Sequence, residues 1–225
     1  MTLQDDYRAH VKAEKRRLKA LPYFSESEEK RRAFVVLFEV LEKHSFEDVL
    51  RWVPSGCSDP LYRVLALEYL SRTRQPGSET WDDTTLAEDT TVVGDLVVRG
   101  HLTNGAALTV LGDLTIEGAY IADGDYPCCQ VAGRLSSKNY FAVEAETIAL
   151  GGLHVADTFW VSYNHTITIA PVVEAARACV QDSFVSAELR AARSYVNEPV
   201  PTSELFGFEA DDPEPHVRDW MRNQG

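Results

Sequence analysis

The sequence predicts an α+β fold: a helical N-terminal domain over residues 1–75, a parallel β-helix (β-solenoid) of about four to five coils over residues 81–196, and a C-terminal tail over residues 197–225 with one short helix. Three observations predict it. Apolar residues recur at helical spacing through the first 70 positions. After Arg74-Gln75-Pro76-Gly77-Ser78, which reads as a linker, helix signals vanish and short alternating stretches of Val, Ile, Leu, Thr and Gly take over. Within those stretches an octapeptide returns at a fixed offset.

Residues 3–20 read as a helix with Leu3, Tyr7, Val11 and Leu18 apolar and a basic face of Lys12, Lys15, Arg16, Arg17 and Lys19. Acidic residues interleave on that face and no aromatic does, so it reads as solvated rather than as a nucleic-acid stripe. Pro22 ends the helix. Ser25-x-x-Glu28 is a capping box ahead of Phe34, Leu37, Phe38 and Leu41. A short helix follows Ser45, with Phe46, Val49, Leu50 and Trp52 apolar. Asp59 then caps a helix with Pro60 at its first position and Leu61, Val64, Leu65, Leu67 and Leu70 along it.

The repeat is read by aligning glycine and leucine. Val93-Gly94-Asp95-Leu96-Val97-Val98-Arg99-Gly100 matches Leu111-Gly112-Asp113-Leu114-Thr115-Ile116-Glu117-Gly118 at an offset of 18. Ala132-Gly133-Arg134-Leu135 follows 21 after Gly112, and Gly151-Gly152-Leu153-His154-Val155 comes 18 later. The three extra residues fit in the turn-like Asp123-Gly124-Asp125-Tyr126-Pro127. One copy cannot bury its own apolar face, but stacked coils can, each paired to the next about 4.8 Å away. Leu96, Val98, Leu114 and Ile116 are then expected inside. Gly94, Gly112, Gly133 and Gly151 are expected at corners that need unusual backbone angles. An antiparallel sandwich is the alternative, and whole-octapeptide repetition argues against it. Residues 172–196 fit either a final coil or a helix, and Pro199-Val200-Pro201 interrupts them.

Enzyme chemistry finds little support. A hexapeptide acyltransferase needs a small aliphatic residue every sixth position, but Arg99 and Glu117 stand six after Val93 and Leu111. No phosphate-binding loop, nucleophile elbow, zinc-protease or dinucleotide motif occurs. Asp95 and Asp113 occupy equivalent repeat positions and read as turn residues rather than as an acid–base pair. The cysteines, Cys57, Cys128, Cys129 and Cys179, form no C-x-x-C pair and read as reduced, buried thiols. No catalytic, cofactor-binding or metal-ligating set is expected. The composition, 44% hydrophobic and 25% charged, is globular. No signal peptide or membrane span is visible, so a cytoplasmic location is expected.

The charge is lopsided. Residues 1–80 carry a net +1, whereas residues 81–225 hold eight basic and 22 acidic side chains, a net −14. That portion should repel nucleic acid and speed encounter with a basic protein.

Residues 90–190 resemble the bactofilin-like, polymer-forming β-solenoid proteins. The resemblance is carried by Gly94-Asp95-Leu96-Val97-Val98-Arg99-Gly100, Gly112-Asp113-Leu114-Thr115-Ile116-Glu117-Gly118 and Phe159-Trp160-Val161-Ser162-Tyr163-Asn164-His165. It implies a right-handed β-helix. True bactofilins resemble a nearly bare solenoid that polymerises end to end. The helices expected here would cap an open end and block that stacking. Small acidic solenoids of this subgroup are similar to the immunity partners of bacterial polymorphic toxins. The expected function is therefore non-enzymatic: binding and occluding a cognate, basic protein toxin, with a structural polymer or homo-oligomer as the alternative. The candidate partner contacts are Trp160, Tyr163, Asn164 and His165, with Asp123 and Asp125 in the inserted loop. Trp220 in the tail is a further candidate anchor.

Overall fold

A computed structural model describes Ala9, Lys12, Ala13 and residues 60–71, 77–208 and 212–223. The chain divides into two compact units, Met1–Arg74 and Gln75–Gly225. In the first, one helix is described, α1 (Pro60–Ser71), with Val64 and Leu67 buried. The helical domain expected over residues 1–75 is not shown. Its predicted helices after Pro22 and Ser45, and most of the one over 3–20, lie outside the described residues.

The second unit is a parallel β-solenoid. Among the described residues its strands are β1 (Ser78–Trp81), β2 (Thr84–Leu86), β3 (Thr90–Val92), β4 (Asp95–Val98), β5 (Leu102–Asn104), β6 (Ala107–Val110), β7 (Leu114–Ala122), β8 (Cys128–Val131), β9 (Leu135–Val143), β10 (Glu146–Ala149), β11 (Leu153–Ser162), β12 (Ile167–Gln181) and β13 (Phe184–Val196). All pairings are parallel. They define three faces. The first runs β1, β4 and the first halves of β7, β9 and β11, then the middles of β12 and β13. The second runs β2, β5 and the second halves of β7, β9, β11, β12 and β13. The third runs β3, β6, β8, β10 and the starts of β12 and β13.

This gives about seven turns, not the four to five expected. The repeat undercounted them for a physical reason. The first turn lacks the Gly-Asp-Leu signature. The last two run through long strands, β12 and β13, whose small residues bend around corners without glycine. Residues 172–196 are thus strand rather than helix.

The interior is built from columns of like side chains. Leu96, Leu114, Leu135, Leu153, Val173 and Leu189 stack on the first face. On the second, Tyr120 stacks on Tyr140 with ring centroids 4.9 Å apart, and Tyr140 on Phe159 at 5.2 Å. The two buried phenols are hydrogen-bonded: Asn104 Nδ2 donates to Tyr120 Oη at 3.1 Å, and Tyr140 Oη pairs with Thr147 Oγ1 at 2.5 Å. Burial pushes both phenols and the neighbouring Cys129 thiol upward, so all three stay neutral.

The corners use two devices. Gly94, Gly112, Gly133 and Gly151 form a column, but none has a positive φ. The expectation of unusual angles is corrected: crowding, not conformation, demands glycine. A Cβ at Gly112 would meet the Gly94 carbonyl oxygen at 2.6 Å, and one at Gly133 the Gly112 oxygen at 2.8 Å. Beside them, Asp95 Oδ1 accepts the Asp113 N–H at 2.7 Å and Asp113 Oδ1 accepts the Arg134 N–H at 2.8 Å. The stacked aspartates therefore satisfy the backbone donors of the next turn, where the strand ladder is interrupted.

Two helices follow the solenoid, α2 (Thr202–Phe206) and α3 (Glu214–Arg222), where one was expected. They do not cap an end. They lie along the second face, whose outward column, Ile121, Phe141, Trp160 and Cys179, is apolar and buried beneath Leu205, Phe206, Val217 and Met221. The outward column of the first face is polar instead: Thr115, Ser136, His154, Glu174 and Arg190 follow Val97. A sheet face in water alternates apolar-in with polar-out, so the apolar outer column implies a cover.

Candidate functional site

The corner between the second and third faces carries the most distinctive exposed surface. From β7 onward, the ends of the second-face strands leave one residue per turn in the left-handed region: Tyr126 (φ 53°), Glu144 (φ 50°), Tyr163 (φ 82°), Asp182 (φ 44°) and Asn197 (φ 52°). None is glycine, so each conformation costs about 1 kcal/mol and must be held by its surroundings. The holding bonds are visible. The Tyr163 N–H donates to the Gln181 carbonyl at 3.1 Å, and the Thr166 N–H to the Tyr163 carbonyl at 2.9 Å. Thr166 Oγ1 also bonds the Ser162 carbonyl. The Asp182 N–H donates to Asn197 Oδ1 at 2.8 Å. These bonds fix the backbone at Tyr163 and Asp182.

Large side chains crown it. Tyr126 is 53% exposed and Tyr163 47% exposed, although both are aromatic. His165 lies between them, edge-on to Tyr126 at 5.9 Å and tilted against Tyr163 at 6.0 Å. Asp125 and Asn164 are exposed alongside, and Asp182 is exposed on the next turn. The inserted loop and the Tyr-Asn-His segment, nearly 40 residues apart, are thus joined through the Tyr126–His165 contact.

Two candidates are placed differently. Trp160 is 1% exposed, beneath the tail, with its ring 6.0 Å from Phe206 and its Nε1 donating to Ser162 Oγ at 3.3 Å. Alternation explains this: Trp160 points outward from the second face, which the tail covers, while Tyr163 lies past the strand end. Asp123 is bound to the tail, with Arg218 at 3.3 Å and Arg222 at 3.1 Å. Trp220 is half-buried within the same tail packing, 5.0 Å from Phe206.

Sequence reading missed Tyr126, Glu144 and Asp182 as ridge residues. The signal was present, since Tyr126, Glu144, Tyr163 and Asp182 follow one another at 18, 19 and 19 residues, the period of the repeat.

Cys128, Cys129 and Cys179 are buried free thiols, while Cys57 lies outside the described residues. Among the described residues no group of three or more His, Cys, Asp or Glu could hold a metal ion, and no helix is long and apolar enough to cross a membrane. A cavity of about 220 Å³ beneath α3 is lined by Asp123, Glu144, Asp212, Glu214 and Arg218, among others. Compared with protein-family models, curated proteins and solved structures, the chain matches none.

Proposed function

We propose that this protein is a non-enzymatic binding protein that neutralises a cognate basic toxin by occluding it. The observation that carries the reading is the rigid ridge of Tyr126, Tyr163 and His165 flanked by Asp125 and Asp182. Exposed aromatics on a fixed backbone lose little entropy on binding and serve as anchors. Surrounding carboxylates, on a portion of net charge −14, steer a basic partner and repel nucleic acid. The test is co-expression of the neighbouring gene's product with the wild-type chain and with Tyr126→Ala, Tyr163→Ala or His165→Ala. The wild type should rescue growth. Loss of one anchor should weaken binding by about 30-fold, the scale of an aromatic hot spot. A product harmless alone, or equally lethal with the wild type present, ends the reading.

One observation favours self-association as a second reading. The outer edge of β13 has no strand partner among the described residues, and Leu189 and Ala191 on it are only partly buried. An unpaired parallel edge is a template for another chain. Sedimentation at rising concentration decides: a concentration-independent monomer excludes a polymer.

A further inference from the structure

We propose that residues 199–208 and 212–223 form a displaceable strap, and that the groove beneath accepts an amphipathic helix with arginines toward its C-terminal end, of the kind the strap itself presents. The groove is the outward column Ile121, Phe141, Trp160 and Cys179, with Asp123 at one end. The strap fills it with Leu205, Phe206, Val217 and Met221, and its arginines Arg218 and Arg222 converge on Asp123. Toward the other end, Arg177 donates to the Leu205 carbonyl at 2.9 Å and sits 5.5 Å from the Phe206 and Trp220 rings.

Four features make the cover separable. The apolar cluster under the strap shares no residue with the cluster inside the coils, so lifting it leaves the solenoid core closed. Among the described residues no β-ladder joins the strap to the solenoid, whereas each turn is laddered to the next. Helices of five and nine residues are marginal alone, so their order depends on this packing. The cleft beside α3 opens to solvent, so water already reaches the latch end. Elements with few ties open locally, below the free energy of global unfolding. The vacated groove is apolar with a carboxylate at its rim, which selects a helix with an apolar stripe and arginine at its end. The groove is distinct from the Tyr126–Tyr163 ridge, and the readout below involves no toxin.

Cys179 is a built-in reporter. It is fully buried beneath the strap, and burial pushes its thiol up to about 12, so the closed form does not react. Cys128 and Cys129, on a face the strap does not cover, are the controls. The full chain is pulsed with N-ethylmaleimide and mapped by peptide mass spectrometry. In Arg218→Gln/Arg222→Gln, Cys179 should react roughly five- to tenfold faster than in the wild type, the scale of two half-exposed ion pairs, with both controls unchanged. A synthetic peptide of residues 199–225 should restore protection, and the same peptide carrying both glutamines should not. Asp123→Asn, which cuts the latch from the solenoid side, should also speed Cys179 and erase the difference between the two peptides. Cys179 reacting no faster than the controls in both variants overturns the strap. Failure of the native peptide to protect, or equal protection by both peptides in the arginine-deficient variant, overturns the groove for an arginine-ended helix.

Discussion

Replacing Gly112 by alanine separates two reasons for a corner glycine. If left-handed backbone were the reason, φ would be positive at Gly112, and it is not. If crowding is the reason, a methyl placed 2.2 Å from Asp95 Oδ1 and 2.6 Å from the Gly94 oxygen must gain about 1.2 Å and 0.8 Å to reach ordinary contact at 3.4 Å. The Asp95 carboxylate can swing aside only by giving up the Asp113 N–H, and the Gly94 carbonyl is backbone, so the remaining relief must come from parting two turns or bending the corner. Overpacking of this kind costs about 1–3 kcal/mol. Reduced freedom of the unfolded chain returns about 0.4–1 kcal/mol. A net loss of about 1–2 kcal/mol follows, which lowers a urea midpoint by roughly 0.5–1 M at a slope near 2 kcal/mol/M. Gly77→Ala is the matched control, because a Cβ there meets nothing within 4 Å. It should be neutral or slightly stabilising. The assay is urea unfolding followed by far-ultraviolet circular dichroism at 218 nm. Gly112→Ala as stable as Gly77→Ala would refute the crowding explanation for the whole column.

Other outcomes follow from the same geometry. Phe159→Ala removes the end of the aromatic stack and should destabilise by about 3–5 kcal/mol in the same assay. Asp113→Ala strands the Arg134 N–H and should cost about 1 kcal/mol, whereas Asp113→Asn, which keeps an acceptor oxygen, should cost less. Gly207→Ala should lose about 1 kcal/mol from strap packing despite open space around it, because φ there is 78°. Hydrogen exchange should show faster amides across 202–206 and 214–222 in that variant, with the coils unchanged.

The solenoid was legible because its physics is periodic. A β-coil stacks on itself, so equivalent positions face equivalent surroundings. Leu96, Leu114, Leu135 and Leu153 announce one interior column, and Gly94, Gly112, Gly133 and Gly151 one corner. Legibility faded where the period was carried by less distinctive residues, as in Ser78–Trp81 at the start and Phe184–Val196 at the end. The ridge was half legible. Tyr163, Asn164 and His165 stood out as a segment, but Tyr126, Glu144 and Asp182 become its neighbours only when successive turns are superposed.

From the residues alone came the coiling itself, the lopsided charge and the inward leucine columns, because each is a property of local pattern or of a sum. What lay beyond the linear order was which outward column would meet water. Trp160 and Tyr163 are three residues apart, yet one is sealed beneath Phe206 and the other stands free. Strand alternation assigns a side of the sheet. Only the path of a tail some 40 residues farther along the chain decides whether that side is surface or interior.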